Sequence, residues 1–166
     1  MSAIERCLLG RSGLGATRIG IGLAAIARPG YITLGRAQDL PERSPEALYQ
    51  RVAAVLDTAR AAGVGYVDVA RSYGRAEEFL ARWLAERGVA RHELTVGTKW
   101  GYRYTADWQV DAAGHEEKEL SPARFRQQLE ESRSLLGDWL DLHQIHSATL
   151  SSGVLDDAAL LEALVA

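Results

Sequence analysis

Four residues in this chain are of types that could move a proton together: Asp68, Tyr73, Lys99 and His146. Asp68 lies at the end of the apolar run Tyr66-Val67-Asp68-Val69, and Tyr73 follows five residues later. Lys99 ends Leu94-Thr95-Val96-Gly97-Thr98-Lys99, and His146 ends Leu140-Asp141-Leu142-His143-Gln144-Ile145-His146. Each alone has a bland reading. An acid after a strand often caps a helix, a lone tyrosine or histidine usually packs, and a lone lysine is usually solvated. Together, at successive strand ends, they make chemical sense. A carbonyl that takes up hydride needs a proton on its oxygen. Tyrosine can give one, although its unperturbed pKa is about 10. A nearby ammonium favours the phenolate, and an aspartate keeps that ammonium charged and in place. A histidine at the pocket edge can orient the carbonyl or share the proton transfer. The hydride would come from a cofactor.

The elements that must position these groups are legible in outline. Leu8 to Gly22 is punctuated by glycines and reads as a short strand, a Ser-Gly turn and a second strand, then a short buried strand at Ile19-Gly20-Ile21-Gly22. A loop marked by Pro29-Gly30 and Pro41 follows. Ser44-Pro45 opens a helix, with serine as N-cap and proline in the first turn. Leu48, Val52, Val55, Leu56 and Ala59 form its apolar face, and Gly63 and Gly65 stop it. A second helix over Ala76–Arg87 turns Phe79, Leu80, Trp83 and Leu84 inward and closes at Gly88. Glu77, Glu78, Arg82, Glu86 and Arg87 read as its solvated face. A long polar loop runs from Trp100 to Leu120, Ser121-Pro122 repeats the helix start, and Gly137 ends that helix. A last helical pattern begins near Leu155 and is still running at Ala166. Strands alternating with helices imply a parallel α/β sheet covered by helices, either a doubly wound open sheet or a (β/α)8 barrel. In both, the strand ends that carry the four residues share one face.

At this point a resemblance can be stated. Val67-Asp68-Val69-Ala70-Arg71-Ser72-Tyr73-Gly74-Arg75-Ala76-Glu77 resembles the aldo-keto reductase stretch Asp-Thr-Ala-x-x-Tyr-Gly-x-x-Glu. Val96-Gly97-Thr98-Lys99 is similar to that family's Thr-Lys strand end, and the segment ending in His146 to its Asp-Leu-Tyr-x-x-His strand. Leu9-Gly10-Arg11-Ser12-Gly13-Leu14 and Ile19-Gly20-Ile21-Gly22 resemble its amino-terminal hairpin and first barrel strand. The resemblance implies a (β/α)8 TIM barrel and reduction of a small aldehyde or ketone with NADP(H), or with NAD(H). It makes Tyr73 the proton donor, tuned by Lys99 and Asp68, with His146 orienting the substrate. Gly22, Leu23 and Asp68 become the expected cofactor contacts. Three positions depart from the family pattern: Val69 replaces threonine, His143 replaces tyrosine, and Leu23-Ala24 follows Gly22 where Thr-Trp is frequent. Strand alternation puts His143 on the opposite face from His146. The loop after Lys99 is rich in aromatics, and Trp100, Tyr102 and Trp108 are candidates for a substrate-pocket wall.

Other chemistries find less support. Gly20-Ile21-Gly22-Leu23-Ala24-Ala25 fits a dinucleotide-binding turn, but Pro29-Gly30 follows too soon for a helix to meet a pyrophosphate. His143 and His146 diverge on a strand, so no metal site is expected. The net charge of −3 gives no reason to expect nucleic acid or an anionic membrane. The apolar stretch Ile19–Ala27 is too short to span a bilayer. The single cysteine, Cys7, is compatible with a reducing compartment, and the first residues do not read as a signal peptide, so a cytoplasmic protein is expected.

A full barrel takes about 250 residues. The 166 here imply one partial domain over 1–166, an amino-terminal hairpin plus four βα units truncated inside the fourth helix. Open sheet edges could then drive self-association, or binding of a partner by a non-catalytic half-barrel.

Overall fold

A computed structural model describes residues 4–30, 38 and 40–165. Four parallel strands form its sheet: β3 (Ile21–Gly22), β4 (Tyr66–Asp68), β5 (Thr95–Trp100) and β8 (Leu142–Ile145), hydrogen-bonded in that order. Neighbours in sequence are neighbours in space, with no reversal of strand order. A doubly wound sheet reverses at a switch point; successive addition of parallel strands is the arrangement of a barrel wall. The molecule is therefore an α/β partial barrel.

Helices α1 (Pro45–Ala61), α2 (Ala76–Glu86), α3 (Pro122–Leu136) and α4 (Ala158–Val165) complete the βα order. The two Ser-Pro starts behave alike. The Ser44 and Ser121 side chains accept from the amides of Ala47 and Arg124, three residues on, and satisfy groups that the first helical turn leaves open. Leu48, Val52 and Leu56 of α1 meet Leu80 and Trp83 of α2 over Val67 and Val96 of the sheet. Val55 and Ala59, expected on that face, are only half-buried. A second cluster joins Trp100, Phe125, Val154 and Leu160 beneath α3 and α4.

The amino-terminal hairpin is present as β1 (Arg6–Leu8) and β2 (Gly15–Thr17). It seats against the amino-terminal ends of the strands. Thr17 Oγ1 accepts from the Gly65 amide at 2.8 Å, and Thr95 Oγ1 donates to Gly15 O at 2.8 Å. That leaves the opposite ends of the strands uncovered by it.

Several expectations are corrected. The strand expected at Ile19–Gly22 shrinks to Ile21–Gly22 and is not buried: Ile19 is 62% exposed, because β3 is an edge strand with a partner on one side only. The loop after Lys99 is not wholly irregular, since β6 (Tyr102–Tyr104) and β7 (Glu116–Lys118) pair antiparallel within it. Glu77 is not on a solvated face but 2% exposed. The Gly20–Ala25 segment opens into turns rather than a helix, which removes the dinucleotide-binding context. Most of the loop between Gly30 and Leu40, and Ala166, lie outside the described residues. No helix among the described residues is long and apolar enough to cross a membrane.

Candidate active site

Alternation along the strands decides which side chains share the concave face. In register, Asp68 lies opposite Gly97, Lys99 opposite Gln144, Thr98 opposite His143 and Trp100 opposite Ile145. Parallel partners point the same way. Asp68, Lys99 and, one residue past the end of β8, His146 thus face one side. Val67, Thr98, Trp100 and His143 face the helices.

The four expected residues come together. Lys99 Nζ donates to Asp68 Oδ1, and also to the carbonyl of Val69 at 3.0 Å. The ammonium sits 4.9 Å from the centroid of the Tyr73 ring. Tyr73 Oη lies 3.4 Å from His146 Nε2, and the two rings meet edge to face at 5.4 Å. Tyr73 reaches this position through a tight turn. Its amide donates to Ala70 O at 3.1 Å, and Gly74 follows at φ +63°. A Cβ on Gly74 would come within 2.6 Å of Ala27 O and 2.7 Å of Arg28 Cβ. Only glycine serves at both counts.

Charge and burial set the state of the histidines. Burial holds the His146 imidazole below its usual pKa, and the Lys99 charge adds to this, while Glu116 and Asp68 act in the other direction. Burial and the Lys99 charge both favour the neutral imidazole. His143 packs away from the site, 5.8 Å from Phe125, and burial pushes its imidazole down to about 4.

The remaining expected residues divide. Tyr102 lies with its ring 4.9 Å from that of His146, where a pocket wall was expected. Trp108 sits farther out, lining a cleft of about 530 Å³ with Arg75, Arg103 and Tyr104, and its Nε1 donates to Arg43 O at 2.8 Å. Trp100 does not line the site. It is fully buried on the helix side, 5.1 Å from the Phe125 ring, because it alternates with Lys99. Gly22 is exposed at the end of β3, opposite Asp68. Leu23 is fully buried, and its amide is spent on Asp68 O at 3.1 Å, so neither its side chain nor its N–H is left for a cofactor.

Two residues escaped the sequence reading. Glu77 accepts from Arg71, Thr98 and Ser132, tying α2 to the Tyr73 turn, to β5 and to α3. Its place in the Tyr-Gly-x-x-Glu spacing was the available signal. Arg28, fully buried after β3, stacks its guanidinium 5.3 Å from the Tyr73 ring centroid and pairs with Glu116 of β7. Nothing in its sequence neighbourhood marks it.

The geometry can be set beside known proteins. Residues 29–166 match the family model described as the aldo/keto reductase family. A search of curated proteins returned no match. Among solved structures, a Pseudomonas aeruginosa protein described as an aldo-keto reductase aligns with a TM-score of 0.71 and 25% identity, covering 96% of this chain and 54% of that one. A second such structure from the same organism gives 0.70 and 25%, covering 96% and 53%. A glycerol dehydrogenase from Gluconobacter oxydans gives 0.53 and 25%, covering 86% and 38%. The chain spans about half the length of the first two and less of the third. Since the family match runs through the segments of Tyr73, Lys99 and His146 alike, this chain belongs to the aldo/keto reductase family.

Proposed function

We propose that this chain carries the proton-transfer side of an NAD(P)H-dependent reductase that converts a small aldehyde or ketone to an alcohol. The observation that carries the reading is the Tyr73 hydroxyl beside His146 Nε2, with the Lys99–Asp68 pair against the same ring. The donor set fits a nicotinamide partner: every polar group of the cluster can give or hold a proton, and none can give a hydride. A bound NADP(H) or NAD(H), bordered here by Gly22 and Asp68, would supply that hydride.

The roles of the side chains follow from position. A carbonyl oxygen placed between Tyr73 Oη and His146 Nε2 takes a hydrogen bond from each, which orients it and polarises its bond. As negative charge grows on that oxygen, the Tyr73 proton transfers to it. The phenolate left behind is stabilised by the Lys99 ammonium. Asp68 and the Val69 carbonyl hold the ammonium in place. Tyr102, stacked near His146, limits the room beside the carbonyl carbon.

The test follows consumption of reduced cofactor with a panel of small aldehydes and ketones. Tyr73→Phe is expected to lower turnover by about 10²- to 10⁴-fold, the usual contribution of a positioned acid. Turnover equal to that of the parent chain would refute the assignment.

A further inference from the structure

We propose that Arg28 is a positioning residue for the Tyr73 phenol, and that Glu116, brought by the β6–β7 hairpin, sets how much of the Arg28 charge the phenol feels. Arg28 has no exposed surface, and a buried guanidinium is costly to desolvate unless it is fully served. It is served by its own loop and by two distant segments. Its Nε donates to Ala24 O at 3.2 Å, and its Nη1 donates to Ser72 O at 3.0 Å and to Glu116 Oε1. Ser72 is the residue before Tyr73, so this cation is tied to the same turn that aims the phenol.

The Tyr73 ring thus has two cations against it, Lys99 Nζ at 4.9 Å and Arg28 Cζ at 5.3 Å from its centroid. Each has its own acid: Asp68 for Lys99 and Glu116 for Arg28. The arrangement around the ring, among the described residues, is Asp68 from β4, Lys99 from β5, Glu116 from β7, His146 after β8 and Arg28 after β3. The Arg28 segment is held fast. The Arg75 amide donates to Ala27 O at 3.1 Å, and Gly74 packs directly on Ala27 and Arg28. Glu116 also acts on His146, where it works against the downward pull of burial. One carboxylate on a hairpin therefore bears on both groups that would grip a carbonyl oxygen.

The inference rests on Tyr73 as the acid, and its test reads the phenol directly. The full chain is labelled with fluorotyrosine, which brings phenol ionisation into an accessible pH range, and Tyr73 is followed by fluorine NMR, assigned through Tyr73→Phe. Arg28→Met, which leaves Glu116 facing the ring, is expected to raise the Tyr73 midpoint by about one pH unit; Glu116→Gln, which leaves the cation less neutralised, is expected to lower it by a similar amount. The double variant Arg28→Met/Glu116→Gln removes the pair without a bare charge and is expected to fall between them. A purely structural role would move both single variants the same way. Shifts of the same sign, or a double variant displaced beyond both singles, would overturn the proposal. So would shifts below about 0.2 units in both single variants; if one of them does not fold, a shift of the other that is smaller than this or opposite to its stated direction overturns the proposal. Failure of the reductase reading would appear instead as unchanged turnover in Tyr73→Phe.

Discussion

Acidifying the solution should unfold this protein early, and His143 should be a principal cause. Its imidazole is buried against Phe125, neither ring nitrogen has a hydrogen-bond partner, and Arg133 and Arg71 add repulsion to the cost of burial. The folded pKa falls to about 4, against roughly 6.5 in the unfolded chain. A depressed histidine pKa favours the neutral form in the fold. Its contribution is fully present above pH 6.5 and is lost as pH falls toward 4. Linkage between those two values gives a loss of about 2 kcal/mol at pH 5 and about 3 kcal/mol at pH 4. His143→Phe removes this titration while keeping an aromatic ring beside Phe125. Urea unfolding of both proteins at pH 7 and pH 5 isolates the effect, because every other titrating group is common to the pair and cancels in the difference. The variant is expected to lose about 2 kcal/mol less than the parent over that interval, whatever its stability at pH 7. Parallel losses in the two proteins would refute the reasoning.

Other outcomes follow from the packing. Trp100→Ala should cost about 3–5 kcal/mol in urea unfolding, the range for a large buried aromatic; a cost below 1 kcal/mol with a changed KM would return Trp100 to the pocket wall. Glu77→Ala leaves two buried hydroxyls without their acceptor and Arg71 with Glu131 alone, and should cost about 2–4 kcal/mol, whereas Glu77→Gln, which can still accept from the hydroxyls, should cost less. Equal, small losses would show that the network carries little. Gly74→Ala should be worse than Gly88→Ala. Both sites have positive φ, but a methyl at Gly88 meets open space while one at Gly74 meets Ala27 and Arg28. The second should lose about 1–2 kcal/mol from conformation alone, and equal thermal shifts would mean that the Tyr73 turn is free to move.

Much of the site was legible because it sits at ends of strands, where sequence pattern changes sharply. Tyr73, Lys99 and His146 follow apolar runs, and the helices between them begin with Ser-Pro signals whose capping is local chemistry. What was missed depends on contacts distant in sequence. Glu77 looks like one more charge on a polar helix until Arg71, Thr98 and Ser132 close around it. The β6–β7 strands are three residues each, with Tyr-Arg-Tyr facing Glu-Glu-Lys, so no apolar alternation announces them. They are held by cross-strand pairing such as Arg103 with Glu117. Trp100 is the instructive case, since the alternation that separated His143 from His146 also separates Trp100 from Lys99. Proximity to the lysine in sequence outweighed it. Arg28 precedes Pro29-Gly30 in a loop, and only the fold shows what it faces.

The β6–β7 hairpin has ties to three other segments among the described residues: Glu116 to Arg28, Trp108 to Arg43 and Lys118 to Ser147. In barrels the loops at this face vary from one chemistry to another. Here exchange of the loop is not modular. A grafted loop without an acid at the Glu116 position would strand a buried guanidinium against the Tyr73 ring. Loop and Arg28 form a matched pair split across some ninety residues of sequence, and a donor loop must bring its own acid or arrive together with a neutral residue at position 28.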